Sequence, residues 1–334
     1  WGHLLEKLLG ISWPFPFTIC LGLSGWIFLG GVLNLLGIAY SLVLDGIVIF
    51  GLGSFALTLV RSWNLKKITE FRSLYYSKDF LLRFLPSTIA ILIVFVFLAH
   101  TVSSPQTFNV HDDFEKYLSH PIRMLATGTV NGSEFSALGS ETLGGQAFLH
   151  GFALAHWPLG YVNTVDSVLA FLLCLMSVLS VSMREELPHW YIPLVVLVPI
   201  LVNPQYVNIS SLYTASAMII FIFLGVWMHC GEDKDTLLSW PSLALLGLSY
   251  GALISLKTFY LLVVIIHFAL VFLGIICVFH SFKNAIKWAM RTACSTLLFS
   301  SPWILVHYSK WITWLSNISG TQAYLSESGF ARET

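Results

Sequence analysis

The chain has 334 residues, of which 56% are hydrophobic, 15% aromatic and 10% charged, with a mean hydropathy of +0.79. A soluble domain carries about 25% charged residues, so a soluble enzyme, a disordered chain and a collagen-like fibre are excluded and an all-α integral membrane protein remains. A membrane β-barrel alternates apolar with polar residues and rarely gives long apolar runs, and the balance of 17 Lys+Arg against 17 Asp+Glu leaves no basic footprint for nucleic acid.

A spanning helix needs about 20 mostly apolar residues. Such stretches fall at 17–38, 41–61, 82–101, 163–182, 190–203, 212–230, 239–255, 258–280 and 288–307, which predicts a polytopic bundle of nine spans. The stretch at 190–203 is short and flanked by proline. The apolar segment 143–158 is ambiguous by itself, and loop charge decides it. Lys66, Lys67, Arg72 and Lys78 mark the loop 62–81 as cytoplasmic, and Lys283 and Lys287 do the same for 281–287. Both hold only if 143–158 does not cross, so it is expected to be re-entrant or interfacial. Twelve of the 17 basic residues then lie inside, with the N-terminus cytoplasmic. Four regions follow: N-terminal spans with a basic loop (1–101), an outer loop with interfacial helices (102–162), a transmembrane bundle (163–307) and an outer tail (308–334). The chain begins at Trp1 and closes on a polar stretch, so a further C-terminal part is expected. No signal peptide is visible.

The first large outer loop holds the densest set of chemical groups. The run from Asn109 to Val130 is amphipathic at helical spacing. Phe114, Leu118, Ile122 and Leu125 share one face, and Asp113, Lys116, Tyr117 and His120 share another. Pro121 is a possible kink and Gly128 a stop. Such a helix lies on the outer surface with its apolar face down. Asp112 and Asp113 stand at its start. One can act as general base toward a hydroxyl, and the pair can hold a hard divalent cation, Mg²⁺ or Mn²⁺, beside a phosphate. Equally, Asp112 with Glu115 makes a helix cap, and Asp113 is a first-turn charge favoured by the helix dipole.

Further along, Gly144-Gly145 permits close backbone approach, and Glu141 and Gln146 can line a pocket. His150 and His156 are six residues apart and do not share a helical face, so they read as interfacial polar residues rather than a metal pair. Lys257, at the outer start of a span, can grip a phosphate or simply snorkel. Asp45 lies within the second span, where a carboxylate is costly unless it is near the outer end. Asp166 opens the fourth span as a dipole partner. Gly247 and Gly251 form a helix-packing motif. Trp13, Trp157, Trp190, Trp240 and Trp303 fit interfacial belts. Cys20, Cys174, Cys230, Cys277 and Cys294 are scattered singly and read as small buried hydrophobes. The sequons at Asn131, Asn208 and Asn317 all fall on the outer side and are explained by chance.

Four stretches carry a family resemblance: HDDFEKYLSHPIRMLATG (111–128), LGGQAFL (143–149), VNISSLYT (207–214) and SLKTFY (255–260). Over roughly residues 100–310 the chain resembles the GT-C superfamily of polytopic membrane glycosyltransferases, and within it a bacterial branch. It departs from the usual pattern in carrying two spans before residue 62, where GT-C enzymes place the acidic loop after the first span. The resemblance implies a bacterial inner-membrane enzyme that moves a sugar from a polyprenyl-phosphate-linked donor to a periplasmic acceptor. It implies that Asp112 and Asp113 supply the base or the metal ligands, with Asp113 favoured by helical face and Asp112 by family order. Tyr117, His120 and Arg123 lie on the interfacial helix, and Arg123 and Lys257 are the cations available to the carrier phosphate. Membrane lipids and membrane-protein partners complete the expected surroundings. The rival reading is a non-catalytic GT-C-like scaffold subunit of a larger membrane complex. A flippase would want broken helices and repeats at mid-membrane, and a haem or pigment protein would want mid-span histidines; both fit less well.

Overall fold

A computed structural model describes residues 1–10, 13–62, 117–131, 138–139, 141–184, 211–225 and 234–308, with Ile89, Leu92 and Val96. Among these residues the chain is helical, with no strand beyond an isolated bridge between Leu138 and Thr142. The helices are α1 (Gly2–Leu9), α2 (Phe15–Leu35), α3 (Ser41–Ser62), α4 (Ser119–Thr127), α5 (Gly145–His156), α6 (Phe171–Arg184), α7 (Leu212–Ile220), α8 (Lys234–Leu237), α9 (Trp240–Leu256), α10 (Leu261–Phe279) and α11 (Phe282–Val306). A π-helical stretch Val165–Ala170 leads into α6, and another, Phe221–Gly225, extends α7.

Among the described residues, three continuous helical segments are long and apolar enough to cross a membrane: Phe15–Leu35, Leu159–Val178 and Thr258–Val278. Shorter apolar helices cover Ser41–Leu57, Leu212–Gly225 and Trp240–Leu256. The expected spans at 82–101 and 190–203 lie outside the described residues, apart from the three single positions above. α11 begins at Phe282 and takes Lys283, Lys287 and Arg291 into its first half, so the expected loop 281–287 is helix. Its 25 residues reach about 37 Å, beyond the roughly 30 Å hydrocarbon layer, which leaves room for that basic end outside it.

α9 is the central helix, buried along almost its whole length. It meets α11 where Gly247 faces Ser295 and Gly251 faces the backbone of Phe299 and Ser300. A side chain at Gly247 would come within 2.7 Å of the Ser295 carbonyl carbon. Small residues thus allow the close approach that drives helix association in lipid. α10 is peripheral: Leu262, Ile265, Ile266, Leu270 and Leu273 are exposed on it, as expected for a helix facing lipid.

Several sequence readings change here. Trp303 is wholly buried and its indole N–H donates to Ile27 O at 2.9 Å, so it is a core residue rather than part of a belt. Trp240 and Trp157 are exposed in keeping with a belt, and Trp190 lies outside the described residues. Cys20 and Cys174 are buried, but Cys277 and Cys294 are exposed on α10 and α11; Cys230 lies outside the described residues. Asp45 has a partner that the sequence did not reveal: its carboxylate accepts from His156 Nε2 at 3.0 Å.

Candidate functional site

One end of the bundle gathers the junctions between helices, and short polar contacts hold them. Ala39 N donates to Gly128 O at 2.8 Å, which docks the end of α4 on the α2–α3 turn. Gly128 stops α4 with φ 79°, and any Cβ there would collide with Gly37. Asn34 of α2 accepts from Val130 N at 2.9 Å. His307, after α11, donates from Nε2 to Leu143 O at 2.8 Å. Gly144 (φ 118°) lies against the Trp303 ring and Gly145 against Ser255, as the Gly-Gly pair led one to expect.

α5 is twelve residues long, about 18 Å, too short to cross. This agrees with its non-crossing assignment. It is not laid on a surface, however: Gly145 to Gly151 are all buried, packed against α2 and α9. α4 also turns a different face inward. Pro121 and Met124 are buried behind Leu118, whereas Ile122 is 55% exposed. Pro121 sits in the first turn of α4, where its missing N–H costs nothing.

Against this frame a cavity of about 230 Å³ is lined by Tyr117, His120, Glu141, Thr142, Lys257, Thr258 and Phe259. Lys257 is extended (φ −149°, ψ 137°), which ends α9 and re-aims the chain. Its ammonium lies 5.4 Å from the centre of the Tyr117 ring, within cation–π range. Thr142 fixes the wall: its hydroxyl donates to Leu256 O at 2.7 Å and accepts from Gly144 N at 3.2 Å. Thr258 N donates to Glu141 O at 2.9 Å. Phe259, 70% exposed, stands at the start of the lipid-facing α10.

Of the residues singled out from sequence, Tyr117, His120, Glu141 and Lys257 therefore meet in one cavity. Arg123 does not line it. Gln146 is buried behind it and accepts from Ser211 Oγ at 3.2 Å. Asp112 and Asp113 lie outside the described residues. Among the described residues no group of three or more His, Cys, Asp or Glu is placed to hold a metal.

Deeper in the bundle lies a set of buried polar groups whose burial sequence reasoning missed. Asp166 is 1% exposed, and its carboxylate accepts from Tyr213 N (3.2 Å), Thr214 N (2.8 Å) and Thr214 Oγ1 (2.7 Å). It lies in the first turn of its own helical segment, as expected, and also caps the start of α7. His150 is 2% exposed, not interfacial, and neither ring nitrogen has a partner among the described residues. Burial pushes its pKa down to about 4; the Asp166 charge and the backbone of Gln146 oppose this, and Lys257 adds to it. The imidazole is thus neutral at physiological pH. Among the described residues Asn163, 1% exposed, likewise has no partner for either side-chain atom, and Thr164 Oγ1 has none. One available signal was spacing: His150 is four residues after Gln146 and shares its helical face.

No family model, curated protein or solved structure matches the chain.

Proposed function

We propose that the chain is a glycosyltransferase of the bacterial inner membrane, which moves a sugar from a polyprenyl-phosphate-linked donor to a periplasmic acceptor. The observation that carries this reading is the cavity where Lys257, His120, Glu141 and Tyr117 converge beside lipid-facing Phe259 and α10. A cation and a histidine suit a phosphate. A carboxylate and an aromatic ring suit a sugar. The exposed apolar rim suits a prenyl chain, since such a donor has its charged group at the membrane boundary. The end of the bundle that carries α4 and α5 faces the periplasm in this reading.

In the transfer, the acceptor hydroxyl oxygen attacks the anomeric carbon. Its proton passes to the carboxylate of Asp112 or Asp113. The bond from the anomeric carbon to the phosphate oxygen breaks, and the electron pair leaves with the phosphate. Lys257 offsets the growing charge on that phosphate, the largest kind of contribution available in a water-poor site. Asp112 and Asp113 are also the carboxylates that would take Mg²⁺ or Mn²⁺, if the enzyme uses one.

The test compares envelope glycans in cells carrying the intact gene, Asp112→Asn or Asp113→Asn at matched protein levels. Loss of one specific sugar with either substitution supports transfer and names the base. Unchanged glycans with both would sink the enzyme and leave a scaffold subunit in its place.

A further inference from the structure

α11 presents two different faces. Ala285, Trp288, Thr292 and Ser295 are buried against the bundle, and the Trp288 ring lies 4.8 Å from that of Phe268 on α10. On the opposite side Lys283, Lys287 and Arg291 are exposed. They are four residues apart, so each lies about one turn and about 6 Å beyond the last, and together they form a cationic stripe roughly 12 Å long. Phe282, Ile286 and Met290, one position before each cation, are exposed beside it. Past Arg291 the outer face is apolar, with Leu297 and Leu298 exposed. The stripe stands at the end of the bundle remote from the cavity, since the other end of α11 leads to His307, which bonds Leu143 O.

The helix itself does not favour cations there. A helix N-terminus carries partial positive charge and prefers acids, yet the first turn of α11 has none and contains Lys283. Among the described residues none of the three cations makes an ion pair. Depth adds a constraint. Counted back from Val306 at about 1.5 Å per residue, a hydrocarbon layer of about 30 Å ends near Ile286 and Lys287. Lys283 then stands among headgroups, and Arg291, roughly 7 Å deeper, extends its apolar stem back toward them. A charge at that depth calls for an anion at the boundary. A soluble partner would leave the apolar residues past Arg291 uncovered, whereas a lipid covers them with its acyl chains while its phosphate meets the cations.

We propose that Lys283, Lys287 and Arg291 form a docking surface for anionic phospholipid headgroups at the membrane boundary opposite the cavity. Charge complementarity and the apolar flank both select this partner. The lysines meet phosphate as point charges, and Arg291 can bond two of its oxygens at once. A tight turn sets the stripe at its level: His280 reverses the chain with φ 47°, and Ser281 caps α11 by accepting from Asn284 N at 3.4 Å. The surface is separate from the cavity and does not rest on the transfer reading.

The test uses the full chain in non-ionic detergent and native mass spectrometry, with phosphatidylglycerol, phosphatidylcholine and inorganic phosphate as probes. The wild type, Lys283→Gln, Lys287→Gln, Arg291→Gln and the triple variant are compared. Each is also made with Lys257→Met, so that any phosphate held at the cavity is subtracted, and thermal unfolding without added lipid is measured for all. The wild type should bind phosphatidylglycerol roughly tenfold or more tightly than phosphatidylcholine. Each single substitution should weaken phosphatidylglycerol about fivefold, as expected for one cation beside an anionic surface, and leave phosphatidylcholine unchanged. The triple variant should bind the two lipids equally and unfold at the wild-type temperature. Equal binding of both lipids by the wild type overturns the proposal. So does a preference that survives in the triple variant with Lys257→Met, which would put the anion elsewhere. Inorganic phosphate that displaces phosphatidylglycerol at equal concentration would show a soluble-anion surface and overturns it as well. A lower unfolding temperature of the triple variant without lipid would assign the cations to pairs within the chain, with the same consequence.

Discussion

Among the described residues, the buried polar atoms without partners between α9 and α11 belong to small side chains, Ser249, Thr292 and Ser295, and to the Trp288 indole. Around α5 they belong to His150, Asn163 and Thr164. The first group sits where two helices come as close as their backbones permit, with Gly247 and Gly251 opposite Ser295 and Ser300. There a serine serves as a small residue, and its hydroxyl is incidental to the packing. The second group includes two larger hydrogen-bonding side chains, His150 and Asn163, each almost wholly buried. Stability alone would favour Leu at position 150, so a His there points to something other than stability. The two regions differ in the side chains that carry such atoms: mostly small ones at the seam, larger hydrogen-bonding ones around α5.

Four substitutions or conditions break or sharpen that contrast. The largest effect is expected at the seam. Gly247→Leu places a branched chain against the Ser295 backbone and should lower stability by about 3 kcal/mol or more, read as a loss of folded protein in thermal unfolding. The second acts on the polar end through pH. Folded His150 titrates near 4, against an ordinary value of 6.5. Its neutral form is therefore favoured by folding, and stability is fully present above pH 6.5. As pH falls through that value the unfolded chain gains a proton the folded chain refuses. His150 should account for a loss of roughly 3 kcal/mol between about pH 6.5 and 4, and His150→Leu should make the slope shallower by that amount. Unfolding followed across this range checks it.

The third prediction tests the cavity wall. Thr142→Val keeps the shape but deletes the hydroxyl that bonds Leu256 O and Gly144 N. It should cost about 1–3 kcal/mol and loosen the 141–144 segment, which hydrogen exchange of Gly144 would report. The smallest effect is expected at the Asp45–His156 pair, whose side chains are both more than a third exposed. Asp45→Asn should change stability by less than about 1 kcal/mol. A larger loss would show that the pair clamps α3 to α5.

Much of this was legible in the residues. Apolar length marked six segments that are apolar helices in the structure, three of them long enough to cross a membrane, and the helix within 143–158 is only twelve residues long. The four residues of the cavity were singled out from polarity near the outer ends of segments. The faces of α4 and the surroundings of α5 were not legible. Ile122 and Met124 are both apolar, and only packing tells which one is covered. His150 looked like any histidine near an interface until α5 proved to be buried in the bundle. Asp45 had no partner in sequence because His156 lies 111 positions away.

The amino-acid sequence by itself determined that the chain is helical and apolar, where its long segments run and which polar residues stand near their ends. Those properties depend on composition and on spacing within one helix, which are local. Tertiary structure decided that Tyr117, His120, Glu141 and Lys257 share one cavity, that Asp166 caps α7, and that His150 and Asn163 are buried with no partner among the described residues. Each of these depends on contacts between distant parts of the chain, where burial alters the energy of a polar group and periodicity carries no information about which segment will cover it.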